Sequence, residues 1–432
     1  MRVLKTNSKT TTKYLGLLLA WLFTLTLALP AKAQVANSEI EKENDSTAVD
    51  SLWSDSAVVK NDTLPWPKNV QMAIDELLRS DMFQTSQVGL MIYDLDADSA
   101  IYRHNERQLM RPASTLKVIT AITALDRLGG SYQFKTELCY TGKVDSCVLR
   151  GNVYCVGGFD PRFNSDDLRA LVEALRKMGV DTICGNVYAD KTMKDRDSLG
   201  EGWCWDDDNP TLSPLLIGRK DVFMDRFSAE LRKAGIVVTG VFGEACKPQD
   251  AYCIVSRFHT IDQVLMRMLK QSDNLYAESM FYQIAASTGN RPATARDARS
   301  VIRQLVSKVG LNPSNYQFAD GSGLSLYNYV SPELEVRFLR YAYGNAIIYN
   351  HLYQALPIAG RDGTLRSRMQ GSFTRDNVHA KTGTVTGISS LCGYLTAANG
   401  HHICFSIINQ GLLHGINGRR FQDKVCNILC GN

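Results

Sequence analysis

Apolar residues recur at helical spacing after Pro112. Val118, Ala121, Ile122, Leu125 and Leu128 share one face and Gly129-Gly130 ends the run, which predicts a helix with Pro112 in its first turn. Two further amphipathic helices are predicted end to end. One carries Ile261, Val264, Leu265, Met268 and Leu269; the next begins near Leu275 and carries Ala277, Met280, Phe281, Ile284 and Ala285. Only the polar break Ser272-Asp273-Asn274 separates them. Toward the C-terminus the pattern changes to that of strands, with Ile388, Leu391, Tyr394 and Leu395, then the apolar run from His402 to Ile408. Asn399-Gly400 between them is a strong hairpin signal. Residues from Val88 to Asp94 read as another strand. The stretch between the first helix and the helix pair is strand-rich, with Gly-Asn-Val-Tyr at 151–154 and again at 185–188, and a helix-like segment from Asp166 to Met178 between them. Two copies are too few to predict a repeat architecture.

The N-terminus predicts export. Arg2, Lys5, Lys9 and Lys13 precede an apolar run from Tyr14 to Leu29 and then Ala31-Lys32-Ala33, the layout of a signal peptide cut before Gln34. The apolar run is short for a membrane span, so no stable span is expected in the mature chain; an uncleaved anchor is the alternative. No cysteine lies near the cut, which argues against a lipoprotein. Residues 34–64 are rich in Ser, Asp, Glu and Asn and cannot support a core, so they are expected to form a flexible tether.

The net charge of +4 comes from that leader. It holds five basic residues and no acidic one, leaving the remainder near neutral, without the basic excess that nucleic-acid binding needs. All eleven cysteines lie beyond the leader, in a chain bound for an oxidising compartment, so disulfides are expected. The odd number leaves at least one thiol free or intermolecular. Cys139 and Cys147 flank a turn-like Gly142-Lys143-Val144-Asp145 and are the expected pair. The cysteines and the seven histidines form no four-ligand metal pattern, so neither metal nor cofactor is expected. His401-His402 reads as the start of a strand.

The chemistry lies in three short elements that occur in order. Ser114-Thr115-Leu116-Lys117 comes first, Ser272-Asp273-Asn274 second and Lys381-Thr382-Gly383 third. A serine with a lysine three residues on should arise about twice by chance in such a chain, and a serine-x-asparagine is no rarer, so the weight rests on the ordered set. A serine hydroxyl needs a base within hydrogen-bond reach to become a nucleophile. On a helix, residues three apart share a face, which puts Lys117 one turn from Ser114 at the helix N-terminus. There the dipole disfavours a protonated amine, and burial lowers its proton affinity further. Ser272-Asp273-Asn274 also has a plain structural reading, because all three residue types are good helix N-caps.

This ordered set resembles that of penicillin-recognising serine enzymes. The wider context, Arg111-Pro112-Ala113-Ser114-Thr115-Leu116-Lys117, Ser272-Asp273-Asn274-Leu275-Tyr276-Ala277-Glu278, Asp320-Gly321-Ser322-Gly323-Leu324-Ser325, Gly360-Arg361-Asp362-Gly363-Thr364-Leu365 and His379-Ala380-Lys381-Thr382-Gly383-Thr384, resembles the penicillin-binding protein 4 type of serine D-Ala-D-Ala carboxypeptidase and endopeptidase. The resemblance implies an α/β (α+β) fold, a β-lactamase/transpeptidase-like domain. Val88–Asp94 and the strands after Lys381 would form its antiparallel sheet, flanked by helices and interrupted by a strand-rich inserted domain. Residues 65–134 and 256–432 would form the catalytic domain and 135–255 the insert, marked by Gly157-Gly158-Phe159-Asp160-Pro161 and Gly202-Trp203-Cys204-Trp205-Asp206-Asp207.

The same resemblance implies roles. Ser114 would attack and Lys117 take its proton, Ser272 would relay a proton to the leaving amine, and Asn274 would bind the substrate amide. Lys381 and Thr382 would hold a carboxylate, Gly383 would admit close backbone approach, and the Thr384 and Ser114 amides would form an oxyanion hole. Asp190 is matched to an aspartate that meets the amino end of the peptide's diamino acid, against the plain reading of a surface aspartate ending a strand. Substrates would be peptidoglycan stem peptides, β-lactams would be covalent inhibitors, and the protein would be periplasmic or peripheral to the cell envelope. A serine β-lactamase is the enzymatic alternative, disfavoured by the long interval between the first two elements and by the lack of an acidic deacylation motif. A non-catalytic β-lactam or muropeptide receptor is the other.

Overall fold

The computed structural model describes residues 64–204 and 209–431. The expected leader, and all but the last residue of the expected tether, lie outside the described residues. Strands β1 (Gln87–Asp94), β2 (Ser99–His104), β12 (His379–Val385), β13 (Ile388–Thr396) and β14 (His402–Gln410) form an antiparallel sheet in the order β12-β13-β14-β1-β2. The hairpin at Asn399-Gly400 joins β13 to β14, and β1 pairs with β14 from Gln87↔Gln410 to Asp94↔Ile403.

Nearly every residue of β13 and β14 is buried, so both faces of the sheet must be covered. Helix α10 (Gly415–Gly431) covers one face, where Gln422 Nε2 donates to Ser389 Oγ at 3.1 Å. Helix α8 (Pro332–Tyr343) covers the other, where Ser406 Oγ donates to Glu335 Oε2 at 2.6 Å. Ser389 pairs with Asn409, three positions from Ser406, and an odd spacing on a strand means opposite faces.

Helix α2 (Leu116–Leu128) is buried at every position from Leu116 to Leu125. Its apolar stripe predicted one buried face; it is instead enclosed by α5 (Ile261–Lys270), α6 (Asn274–Ala286), α7 (Ala295–Lys308), α8 and α9 (Ala346–Ala355). Thr120 and Thr123 survive inside because their hydroxyls donate to the Gly321 and Ile119 carbonyls at 2.7 and 2.8 Å. Helix α1 (Lys68–Leu77) packs beside α10.

Between α2 and α5 the chain builds two more sheets. One contains β3 (Gln133–Tyr140), β6 (Val153–Gly157), β8 (Val187–Asp190), β10 (Phe242–Glu244) and β11 (Tyr252–Thr260), in the order β10-β8-β6-β3-β11. The other contains β4 (Lys143–Asp145), β5 (Val148–Arg150), β7 (Thr182–Cys184) and β9 (Val237–Val238). Helices α3 (Ser165–Lys177) and α4 (Phe223–Lys233) pack into a separate apolar core with them. The chain enters on β3 and leaves on β11, which pair antiparallel from Gln133↔Thr260 to Tyr140↔Tyr252.

The two Gly-Asn-Val-Tyr segments occupy equivalent places. Each glycine marks the step from the smaller sheet to the larger, and β6 and β8 pair in parallel with Val153 opposite Val187. A third, degenerate copy begins at Gly240, Gly240-Val241-Phe242, with Phe242 in register with Val187, and steps from β9 to β10. The three glycines stack: a Cβ on Gly151 would meet Thr141 O at 1.9 Å, one on Gly185 would meet Gly151 O at 2.0 Å, and one on Gly240 would meet Gly185 O at 2.3 Å.

One expectation is corrected. Cys139 is bonded to Cys253 and not to Cys147. Lys143–Asp145, expected as a turn, is instead strand β4 of the smaller sheet, and the turn falls at Ser146-Cys147, which leaves Cys147 exposed at its tip. Cys139 faces Cys253 across the β3–β11 register. A disulfide is typically worth about 2–4 kcal/mol, and closing a loop of 114 positions puts this one at the upper end, about 5 kcal/mol. Cys253→Ser should therefore melt at lower temperature than the oxidised wild type and together with the reduced protein, as read by calorimetry. Identical melting of all three would show that no bridge forms.

Candidate active site

Ser114 sits in a single 3₁₀ turn, Ala113–Thr115, that leads into α2. Lys117, in the first turn of α2, is fully buried, and its Nζ lies 2.8 Å from Ser114 Oγ. Nζ also lies 2.8 Å from Asn274 Oδ1 and 2.7 Å from Ser322 O. These last two groups can only accept hydrogens. A neutral amine has two hydrogens and one lone pair, so when both hydrogens go to Asn274 and Ser322 the lone pair points at the Ser114 hydroxyl. Burial lowers the Lys117 pKa to about 8, against the opposing pull of Asp320, Glu278 and Asp273.

Ser322 belongs to the Asp320–Ser325 loop, which is organised around one buried carboxylate. Asp320 accepts from Gly323 N, Ser325 N, Asn328 Nδ2 and Trp203 Nε1, all at 2.8 Å. Gly323 has φ +80°, and a Cβ there would meet Ala113 O at 1.8 Å, so only glycine lets the loop close on the turn bearing Ser114. Glu278 Oε1, inside α6, accepts from Gly321 N at 3.0 Å, and burial raises its pKa to about 8.

The break between α5 and α6 divides its labour. Asp273 caps α6 by accepting from Leu275 N at 3.1 Å, and it is held by Arg219 and by Arg267 Nε, the latter at 2.8 Å. The capping account therefore holds for Asp273. Its neighbours turn the other way, Asn274 to Lys117 and Ser272 to Lys381, whose Nζ donates to Ser272 Oγ at 2.9 Å. Ser272 has φ +57° and Ala113 has φ +50°, left-handed conformations that cost of order 1–3 kcal/mol in residues other than glycine.

Lys381 lies on β12, the edge strand facing this cluster, and is fully buried. Burial, reinforced by the charge of Lys117, pushes its pKa well below the usual lysine range. Thr382 Oγ1 donates to Thr364 Oγ1 at 2.8 Å, bringing in the Gly363–Leu365 turn. A Cβ on Gly383 would lie 2.1 Å from Ser390 Oγ, 2.7 Å from Pro112 O and 2.9 Å from Ser114 N. The backbones of β12 and the turn bearing Ser114 touch only because Gly383 has no side chain, and Thr384 beside it is exposed.

Ser114, Lys117, Ser272, Asn274, Lys381, Thr382, Gly383 and Thr384 thus line one cleft. Asp190 stands apart. It is buried, not on the surface, and ends β8. Its carboxylate accepts from Thr192 N at 2.9 Å, Lys247 N at 2.9 Å and Arg291 Nη2 at 3.1 Å. Arg291 follows the C-terminus of α6, whereas Ser272 and Asn274 flank its N-terminus. The sequence reading missed Ser322 O, Asp320, Glu278, Thr364 and Trp203 as site residues. Their motifs stood out, but a carbonyl's partner carries no signal in residue type.

A sheet covered by helices on both faces, with a serine–lysine pair at the start of a buried helix and a lysine on the facing edge strand, defines the β-lactamase/transpeptidase-like class. The family model described as the D-Ala-D-Ala carboxypeptidase 3 (S13) family matches residues 70–215 and 219–430, and the chain belongs to that family. The chain is similar to the D-alanyl-D-alanine carboxypeptidase DacB of Haemophilus influenzae, at 27% identity over 405 residues, covering 74% of this chain and 84% of that protein. A D-alanyl-D-alanine carboxypeptidase of Actinomadura is 26% identical over 438 residues, covering 78% of this chain and 80% of that one. The crystal structure of penicillin binding protein 4 from Haemophilus influenzae matches with a TM-score of 0.73 at 25% identity, covering 78% of this chain and 93% of that one.

Gly383→Ala should keep the fold yet push β12 away from Ser114 N. A displacement near 1 Å typically costs about a hundredfold in rate, so acylation by a fluorescent penicillin should fall by about that factor. Stopped-flow labelling beside a melting curve measures it, and unimpaired labelling would refute the close approach.

Proposed function

We propose that the protein is a serine-type D-Ala-D-Ala carboxypeptidase and endopeptidase that acts on peptidoglycan stem peptides through an acyl-enzyme on Ser114, and that β-lactams acylate the same oxygen. The observation that carries the reading is the Lys117 amine, buried and 2.8 Å from Ser114 Oγ with two fixed acceptors for its hydrogens. Ser114 Oγ attacks the carbonyl carbon of the penultimate D-alanine while Lys117 takes the hydroxyl proton. The oxyanion so formed is met by the amides of Ser114 and Thr384. As the C–N bond breaks, the leaving amine gains a proton through Ser272, whose hydroxyl is bonded to Lys381. Water then attacks the ester and returns the hydroxyl to Ser114.

Lys381 and Thr382 face the carboxylate of the departing residue, and Asn274 faces the substrate amide. A β-lactam offers the same two groups, a strained amide and a carboxylate. The structure of the Haemophilus influenzae relative complexed with a novel β-lactam, which matches with a TM-score of 0.71 at 25% identity, supports this part. Carboxypeptidase and endopeptidase action differ only in the leaving amine, and the open edge of β12 admits either. Asp190, engaged by Arg291 and two backbone amides, is not part of the mechanism. The basic and apolar leader supports export to the periplasm. Among the described residues no helix is long and apolar enough to cross a membrane.

Ser114→Ala should lose covalent penicillin labelling and D-alanine release while melting like the wild type. Release at the wild-type rate from a stem-peptide substrate would remove Ser114 from the mechanism. The pH dependence follows from the lowered pKa of Lys117. Only the deprotonated amine accepts the serine proton, so the acylation rate constant should rise with pH along a limb centred near pH 8. A rate that is flat from pH 6 to pH 9 would exclude Lys117 as the base.

A further inference from the structure

A cavity of about 560 Å³ opens where β12 ends, lined in part by Arg111, Tyr329, Thr386, Gly387, Gln410 and Gln87. Among its described lining residues Arg111 is the one charged side chain. The guanidinium is oriented: Nε donates to Leu326 O at 3.1 Å, Nη2 donates to Tyr329 Oη at 3.3 Å, and the group lies 5.7 Å from the centre of the Tyr329 ring. These contacts use two of its five N–H groups. No carboxylate of the described residues pairs with it, so an aligned cation faces a polar cavity with most of its hydrogen-bonding fork open.

The position relative to Ser114 is fixed from two directions. Arg111 precedes Ser114 by three residues. Gly383 lies against Ser114 N, and from Gly383 the chain runs three residues on to Thr386, about 10 Å at strand spacing. An extended substrate pairing with the open edge of β12, with its terminal carboxylate at Lys381 and Thr382, has its acyl portion running toward Thr386 and Gly387. Its third residue before the scissile bond then lies about 10 Å from the reacting carbonyl, at the mouth of this cavity. A guanidinium fork matches a carboxylate in geometry and charge.

We propose that Arg111, set by Tyr329 and Leu326 O, forms an anion-binding subsite that selects acyl-donor peptides with a free carboxylate on the third residue before the scissile bond. The proposal rests on the reading of Ser114 as nucleophile, and extends it from the reacting bond to the donor chain.

The test compares two synthetic peptides ending in D-Ala-D-Ala that differ only in bearing a carboxylate or a carboxamide on that third residue. The wild type should prefer the acid by about tenfold in kcat/KM, chiefly through KM, with the preference shrinking as salt is added. Arg111→Ala should level the two peptides and Arg111→Lys should keep part of the difference. Equal kcat/KM for both peptides with the wild type, or an undiminished preference in Arg111→Ala, overturns the subsite. Should Arg111→Ala fail to fold, the wild-type comparison alone decides. Fluorescent penicillin, which carries no such carboxylate, separates the layers. Wild type that labels at Ser114 without an acid preference sinks the subsite alone, whereas wild type that fails to label sinks the nucleophile assignment and the subsite with it.

Discussion

Two lysine amines, Lys117 and Lys381, are shut away from water in one cleft, and the arrangement of this site follows from that constraint. Two ammonium groups so close in a desolvated site cannot both hold a proton cheaply. Each answers with a lowered pKa, and burial is the larger cause for both. The linkage has a definite sign. A lysine whose pKa falls from 10.5 to about 8 is bound by protons more readily in the unfolded chain, so it destabilises the fold in full below pH 8 and progressively less from pH 8 to the unfolded value. The magnitude is about 3 kcal/mol for Lys117, a large share of the usual net stability of a domain. The fold carries that burden because the same burial leaves a free amine beside Ser114.

The rest of the site confines the consequence. Asp320 is a buried negative charge that opposes complete loss of the Lys117 proton affinity. Its five hydrogen-bond donors, the Ser322 hydroxyl included, keep it in place, and one of them, Trp203, comes from the segment between β8 and α4. A buried carboxylate short of partners would itself be pushed toward the neutral form. Strain lies in the same small region. Ala113 and Ser272 are both at positive φ, and the turn that contains Ala113 is enclosed by Gly323 and Gly383, whose absent side chains let three backbones meet. Each of these devices shifts the orientation of one hydroxyl and one amine.

Legibility in the sequence followed range. Local, periodic signals carried through: the break between α5 and α6, the hairpin at Asn399-Gly400 and the buried face of α2 are all present, because each depends on residues within a few turns. The all-round burial of α2 was illegible, since Thr120 and Thr123 read as polar until their acceptors are known, Gly321 O on another loop and Ile119 O within the helix. Cys253 was illegible as the partner of Cys139, because the match depends on the β3–β11 register over 114 positions. The third step, Gly240-Val241-Phe242, has valine where the other two have asparagine and is recognised only when its strand lies beside β8. The lysines and serines of the cleft were legible as motifs. What tunes them was not, because Ser322 O contributes a carbonyl and Asp320 acts through distance.

The strand-rich segment between α2 and α5 is more than a covering for the cleft. Trp203 holds Asp320, Arg219 pairs with Asp273, and the carbonyls of Gly158 and Phe159 accept from Gln283 and Ser279 on α6. Each contact reaches an element that sets Lys117, Ser272 or Asn274. The Cys139–Cys253 bridge fastens the two strands by which that segment enters and leaves, and β11 runs on directly into α5, whose far end leads into Ser272. Loosening the entry strands would therefore act on the position of the second motif before it acted on the turn bearing Ser114. Ser114 and Lys117 are held by α2 and the Asp320 loop, and the second serine and the asparagine depend more on the segment that separates them in sequence from the first.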